Sequence, residues 1–355
     1  MTRFVVYFII ANLIGGFFLW LVARDLPLDA IGAYFAQADP GQLIAAGAGF
    51  VVLYGISHAA RVMRWFELVR PIEPDLKPWT VHKVCLVGLT AILLLPLRLG
   101  ELVRPYLLAK HTPVKASAAL GTAVVERVMD GLAMTGLLFL TLATYSGQGA
   151  TTFATTTGII SACVFSGALV MCVLAYWRMS LAQRIIDATF GRLWQRLADK
   201  LSGLLRDFIT GFRALGSAGA MARFLAATLA YWIANVLSMW VLATWGFGLD
   251  IGVWQMTTVL ALLVIGIMVP GGPGMAGSFE FFMLRALALF VAVDDPNIAP
   301  TAGAFAALVH VLQLVVITVP GALVMWVDPK SRHLIQLADE AQEQLDPSLT
   351  QESST

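Results

Sequence analysis

Five stretches of the sequence, near 4–23, 42–59, 155–177, 221–245 and 301–327, are apolar over close to the roughly 20 residues that a helix needs to cross a bilayer. Hydrocarbon offers no water to satisfy backbone N–H and C=O groups, so such stretches are held to α-helix and everything between them must fit that frame. A sixth stretch, 117–146, is as long but is interrupted by Glu126, Arg127 and Asp130. Two further apolar runs, 84–97 and 253–293, are broken by proline and glycine, at Pro96 and over 270–277. Only 13% of the 355 residues are charged and the mean hydropathy is +0.80, where soluble domains carry about 25% charge. The fold class is therefore all-α polytopic membrane protein, with about six spanning helices. Residues 4–23 follow Arg3 without a small-residue cleavage pattern, which fits a retained first helix better than a signal peptide.

The distribution of Arg and Lys sets the expected topology. Arg61, Arg64, Arg70, Lys77 and Lys83 crowd residues 60–83, and a second basic segment covers 178–223. The positive-inside rule makes both cytoplasmic, while the connections near 25–39, 147–154, 246–252 and 294–300 belong outside. For these assignments to agree, 84–105 must enter and leave from the cytoplasmic side and 253–293 from the outside. Both are then re-entrant or broken helical hairpins, tolerated where they are buried in protein or line a cavity. Two full spans at 253–269 and 279–293 preserve the same parity and stay open. The order helix, helix, hairpin, helix occurs twice in opposite orientation, an inverted-repeat architecture. The expected divisions are a first repeat at 1–147, a second at 148–328 and a cytoplasmic, disordered tail at 329–355, acidic and rich in Ser and Thr. Within the second repeat, apolar residues from Leu181 to Phe212 recur at steps of three to five between basic ones. That pattern predicts an amphipathic segment over 178–215 on the membrane surface.

The breaks carry the charges. After Pro96 come Arg98, Gly100, Glu101 and Arg104; spaced by three, the charged residues share one helical face, with a carboxylate between two guanidinium groups. Glu126, Arg127 and Asp130 lie within little more than one turn. Each costs roughly 2.5–3.5 kcal/mol near the centre of a spanning helix, so three together call for partners. Arg61 and Arg64 either snorkel at the end of the second helix or form a phosphate-binding entrance. Residues 274–280, with Gly274 and Gly277, offer backbone amides to an anion, whereas Glu280 in that first turn serves equally as a helix cap. Arg285 is expected to face Glu280 or the cavity. Cys85, Cys163 and Cys172 lie in apolar segments without ligand spacing, and the five histidines are scattered, so no metal and no cofactor are expected.

Four of these motifs stand in order: RxxRW at 61–65, PxRxGExxR at 96–104, ERxxD at 126–130 and a Pro-Gly-rich GxxE at 273–280. Together they resemble the lysylphosphatidylglycerol synthase transmembrane-region family, flippase-like integral membrane proteins. The resemblance covers about residues 1–328 and implies a prokaryotic membrane protein that handles phospholipid or polyprenyl- or terpenoid-linked lipid. It further implies a stand-alone member without the soluble aminoacyl-transfer domain. The expected function is lipid translocation, not ATP-driven, through a polar intramembrane cavity in the cytoplasmic (inner) membrane, with both termini cytoplasmic. In that reading Arg98, Arg104 and Arg127 bind phosphate, while Glu101, Glu126, Asp130 and Glu280 balance charge or carry protons. The alternatives are an ion-coupled transporter of a small anionic solute, or an accessory protein or intramembrane transferase of envelope-lipid synthesis. The chain is expected not to be an enzyme. Its partners are expected to be anionic lipids and not nucleic acid, with a homo-oligomer or an envelope-lipid biosynthesis partner left open.

Overall fold

The computed structural model describes residues 2–25, 28–144, 152–191, 218–269 and 272–345, together with scattered positions between 195 and 209. Among the described residues every regular element is helical. The chain opens with α1 (Thr2–Asp25), α2 (Leu28–Gln37) and α3 (Pro40–Val69). The first break follows: α4 (Pro78–Leu94), a 3₁₀ turn at Pro96–Arg98, and α5 (Gly100–His111). Two long helices come next, α6 (Ala116–Thr144) and α7 (Thr152–Ile186). Then come α8 (Ala218–Val241) and the second break, made of α9 (Val253–Gly266), a 3₁₀ turn at Pro273–Met275 and α10 (Ser278–Leu287). The chain closes on α11 (Ala299–Val327) and α12 (Leu334–Leu345).

Among the described residues, five helices are long and apolar enough to cross a membrane: 6–24 within α1, α3, 152–174 within α7, 218–246 and α11. They leave large apolar side chains such as Phe17, Val170 and Trp326 on the outside, as lipid-facing helices do. The protein is therefore a multi-pass membrane protein. α3 runs well past the expected 42–59. Its N-terminus is fixed by Asp39, whose carboxylate accepts from the Gly41 amide at 2.8 Å, and Pro40 occupies the first turn, where a missing N–H costs nothing. Because the helix continues to Val69, Arg61, Arg64 and Trp65 sit on a rigid rod rather than in a connecting loop.

The four arms of the breaks are short. α4 has 17 residues and α9 has 14, about 25 and 21 Å at 1.5 Å per residue; α5 has 12 and α10 has 10. Glycines let each pair of arms approach closely. A Cβ on Gly100 would stand 2.1 Å from the Ala91 backbone, and one on Gly266 would stand 2.2 Å from the Phe282 ring. α4 lies on α5 and on α11; α9 lies on α10 and on α6; α3 and α8 pack along each other. α1 rests against both breaks, where Gly15 approaches the backbone of Gly272 and Gly277.

One expectation is corrected in the polar segments. The tail is not disordered from 329 onward, because residues 334–345 form α12, which packs on α5. Leu337, Ala338 and Ala341 are buried there at helical spacing, and Glu340 accepts from Tyr106 Oη at 2.7 Å and from Lys110 Nζ at 3.0 Å. Residues 346–355 lie outside the described residues. In the basic segment, α7 kinks at Arg178 and continues to a π-turn at Asp187–Gly191, while most of 192–217 lies outside the described residues.

Candidate functional site

The charged residues of the motifs divide into a sealed cluster and a cavity wall. In the cluster, Arg64 is fully buried. Its Nη1 donates to Asp130 Oδ1 at 2.5 Å, and its Nη2 donates to Glu126 Oε1 at 2.6 Å and to Asp130 Oδ2 at 3.0 Å. Arg104 Nη2 donates to the other oxygen of Glu126. Glu126 thus bridges α3 and α5 from α6. Trp65 covers this bridge: the Arg104 guanidinium lies 4.5 Å from its ring centre, and its indole N–H donates to Thr122 Oγ1 at 3.0 Å. Buried charges persist where they are paired and hydrogen-bonded, and here each guanidinium finds a carboxylate. Arg64 therefore does not snorkel, and Arg64, Arg104 and Glu126 do not reach the cavity.

The cavity has a volume of about 130 Å³, against the roughly 10–15 Å³ that one water needs. Both breaks open onto it. Arg61 from α3, Arg98 and Glu101 from the first break and Arg127 and Asp130 from α6 form one side. Gly274, Met275 and Phe279 from the second break and His310 and Gln313 from α11 form another, and α4 and α9 supply an apolar lining. Arg98 Nη1 donates to Glu101 Oε1 at 3.0 Å, Arg127 stands 4.0 Å from Asp130, and Arg61 lies 5.7 Å from the centre of the Tyr231 ring. Across the first three motifs, five arginines face three carboxylates, Glu101, Glu126 and Asp130, an excess of two positive charges, while Glu280 of the fourth motif bonds His310 and the Gly277 amide. On α8, Trp232 Nε1 and Asn235 Oδ1 are buried beside the cavity with no hydrogen-bond partner among the described residues. Orphaned polar atoms of this kind call for a water or a ligand.

The backbone at the two breaks is strained in the same way. Among the described residues, Arg98 (φ 59°) and Met275 (φ 61°) are the non-glycine residues at positive φ, and both line the cavity. Such conformations cost on the order of 1–3 kcal/mol and concentrate at functional sites. Gly277, at φ 84°, has no room for a Cβ, which would come within 2.4 Å of the Gly15 carbonyl oxygen.

At the second break the Gly277 amide is taken internally, as the helix-cap alternative expects. The Gly277 N–H donates to Glu280 Oε2 at 2.8 Å, so Glu280 caps α10, and Gly274 turns its carbonyl rather than its N–H to a side chain, that of His310. Pro270 and Gly271 lie outside the described residues. Arg285 lies over the Phe281 ring at 5.5 Å, not against Glu280. His310 was missed by sequence reasoning. Its signal was that of an ionisable residue in the middle of an apolar spanning helix, which is a site hypothesis without any motif.

Fold and site together define a polytopic helical membrane protein with a cationic cavity between two broken helical elements. The chain belongs to the family described as the lysylphosphatidylglycerol synthase TM region, which matches residues 8–321, in agreement with the resemblance carried by the four motifs. The family ties it to membrane-lipid-related function. A curated relative, the glycosyltransferase AglD of Haloferax volcanii, is 26% identical over 341 residues, covering 87% of this chain and 53% of the relative. The chain thus spans about half the length of that relative. No solved structure matches. The expectation that the chain is not an enzyme is corrected by this match, since most of this chain aligns with about half of a protein named as a glycosyltransferase.

Proposed function

We propose that the chain takes the anionic headgroup of a membrane lipid into the cavity and passes it between leaflets while the hydrocarbon chains stay in the bilayer. The observation that carries this reading is the excess of arginine over carboxylate around an intramembrane cavity, whose wall sets Arg61, Arg98 and Arg127 against Glu101 and Asp130. Excess charge at that depth is costly, and an anionic phosphate supplies the missing counter-charge with the planar, bidentate geometry guanidinium groups favour. Arg61, Arg98 and Arg127 bind the phosphate, Glu101 and Asp130 orient them, and Arg64, Glu126 and Arg104 brace the helices behind. The lipid is a phospholipid or a polyprenyl- or terpenoid-linked one.

In this reading the two breaks are re-entrant hairpins of an inverted repeat in a prokaryotic cytoplasmic membrane, with both termini cytoplasmic. Two observations support it. No arm reaches the roughly 20 residues of a full span, and the packing is reciprocal: the first arm of each hairpin lies on the last long helix of the other half. The test uses purified protein in proteoliposomes holding a labelled phospholipid or a labelled polyprenyl phosphate, followed for loss of leaflet asymmetry. Exchange by the wild type that is lost in Glu101→Gln is expected; exchange of neither lipid, with or without a proton gradient, overturns the reading.

The AglD match favours a second reading, in which the same cavity holds a lipid phosphate for glycosyl transfer. A mass increase of one sugar residue on the lipid after incubation with nucleotide sugars distinguishes it from translocation, which leaves the lipid covalently unchanged.

A further inference from the structure

His310 presents both ring nitrogens to acceptors. Nδ1 lies 2.5 Å from Glu280 Oε1 and Nε2 lies 2.6 Å from the Gly274 carbonyl oxygen, while the Phe279 ring stacks on the imidazole at 4.3 Å. A backbone carbonyl only accepts, and an ionised carboxylate only accepts. The closed geometry therefore needs one proton on Nε2 and a second between Nδ1 and Oε1. Removing that second proton sets an imidazole lone pair against a carboxylate at hydrogen-bond distance, around a histidine that is only 7% exposed. Burial at low dielectric makes such a clash expensive.

These contacts hold both ends of one short loop. Gly274 is held through its carbonyl and Gly277 through its amide, which donates to Glu280 Oε2 at 2.8 Å. Between them Met275 sits at φ 61°, a conformation that the rest of the loop must maintain against its own steric cost. The loop lies against α1 and α4 and forms part of the cavity wall.

We propose that the His310–Glu280 pair is a proton-binding site that latches residues 272–277 against the cavity, and that loss of its proton releases them. The proposal rests on the translocation reading in one respect: it names H⁺ as the coupling ion. The proton leaves for water in the cavity, and the pair passes from net neutral to one negative charge. Protonated, the pair leaves the excess arginine charge free to hold an anion; deprotonated, it competes with that anion. Proton and headgroup then bind and leave together.

The other ionisable groups on the cavity do not replace this site. Among the described residues of the elements packed on α11, α3 brings Tyr54 and Arg61 to the cavity, α10 carries Glu280 itself and Arg285, which lies over the Phe281 ring, and α2 and α4 bring no ionisable side chain to the cavity. Across the cavity, Glu101 is paired with Arg98, Asp130 with Arg64 and Arg127, and Tyr231 lies under Arg61 and Arg64.

Glu280→Gln is the informative variant. Its amide oxygen accepts from Gly277 N–H and its NH₂ donates to His310 Nδ1, so the latch closes with no titrating proton. The experiment is hydrogen exchange of peptides covering 272–281 in detergent-solubilised full-length protein from about pH 5.5 to 8.5, corrected for intrinsic exchange. Wild-type opening should rise by about tenfold per pH unit once the pair titrates, Glu280→Gln should stay protected throughout, and His310→Ala should stay open. A flat corrected profile in the wild type, or a wild-type pH dependence in Glu280→Gln, overturns the latch, and neither depends on a lipid being moved. In proteoliposomes, a pH gradient should accelerate labelled phospholipid exchange by the wild type and not by Glu280→Gln; equal acceleration of both overturns the coupling. Titrating exchange in a protein that moves no lipid would refute translocation and leave the latch standing.

Discussion

Glu126 and Glu101 stand in neighbouring motifs, yet their neutralisation should have opposite consequences. Glu126 is fully buried and bonds Arg64 through one oxygen and Arg104 through the other, so Glu126→Gln leaves Arg64 with Asp130 and removes the carboxylate that the buried Arg104 bonds. Removing one partner of a buried pair costs about 3–5 kcal/mol, most of it the penalty of the charge left behind. Glu101 is about one-third exposed to the cavity and pairs with Arg98 alone at 3.0 Å. Discounted for solvent screening, its loss costs no more than about 1 kcal/mol. Thermal unfolding in one detergent, read by loss of the monodisperse peak on size exclusion, should place Glu126→Gln well below the wild type and Glu101→Gln close to it. Lipid exchange should show the reverse selectivity, with Glu101→Gln folded but inactive. Equal melting of Glu126→Gln and the wild type would refute the brace. A large loss of stability in Glu101→Gln would refute the division between brace and cavity wall.

Arg127→Ala removes a cavity guanidinium that stands 4.0 Å from Asp130 while leaving the Arg64–Glu126–Arg104 bonds in place, and should weaken phosphate binding by about 1.5–3 kcal/mol, measured by calorimetry with inorganic phosphate or a short-chain lipid phosphate. Gly100→Ala forces a Cβ to 2.1 Å from the Ala91 backbone, where no side chain can give way, and should cost about 3 kcal/mol or more in the same unfolding assay. At α12, the bonds from Tyr106 and then Lys110 hold the Glu340 carboxyl below its ordinary range. A depressed folded value contributes stability above the unfolded one and loses it on acidification, so α12 should stay docked above about pH 5 and loosen below about pH 4. Hydrogen exchange over 334–345, corrected for pH, reads this directly, and Glu340→Gln should abolish the dependence.

The sequence made the two breaks legible because proline, glycine and charge inside apolar runs have few meanings in a bilayer. It also made the charges of 126–130 call for partners, which Arg64 and Arg104 supply in the structure. It did not say which arginine goes where, because spacing places Arg61 and Arg64 almost on one helical face while burial is decided by the neighbour across the gap. Arg64 meets Glu126 and Asp130; Arg61 meets an aromatic ring and open space. α12 was missed for a different reason. Composition over the whole tail is acidic and polar, and averaging hid the spacing of Leu337, Ala338 and Ala341 that packs it on α5. His310 carries no neighbouring motif, and its partners, Glu280 and Gly274, lie 30 and 36 residues away in sequence.

The two halves solve one problem by different chemistry. Each places a non-glycine residue at positive φ where its broken helix meets the cavity, Arg98 in one and Met275 in the other. In the first half the strained residue is itself the charge, and Glu101, one turn on, holds it. In the second half the strained residue is apolar, and the restraint comes from His310 and Glu280 on either side of it. An arginine does not lose its proton under physiological conditions, whereas an imidazole does. The first break is therefore suited to hold an anion at any pH and the second to respond to protons. Transplanting the difference tests it: His310→Lys keeps a cation beside Glu280 that does not titrate near neutrality. It should preserve protection of 272–277 at acidic pH and keep that protection at alkaline pH, where the proposed latch of the wild type is expected to release. Opening of this variant in step with the wild type would show that something other than the imidazole senses the proton.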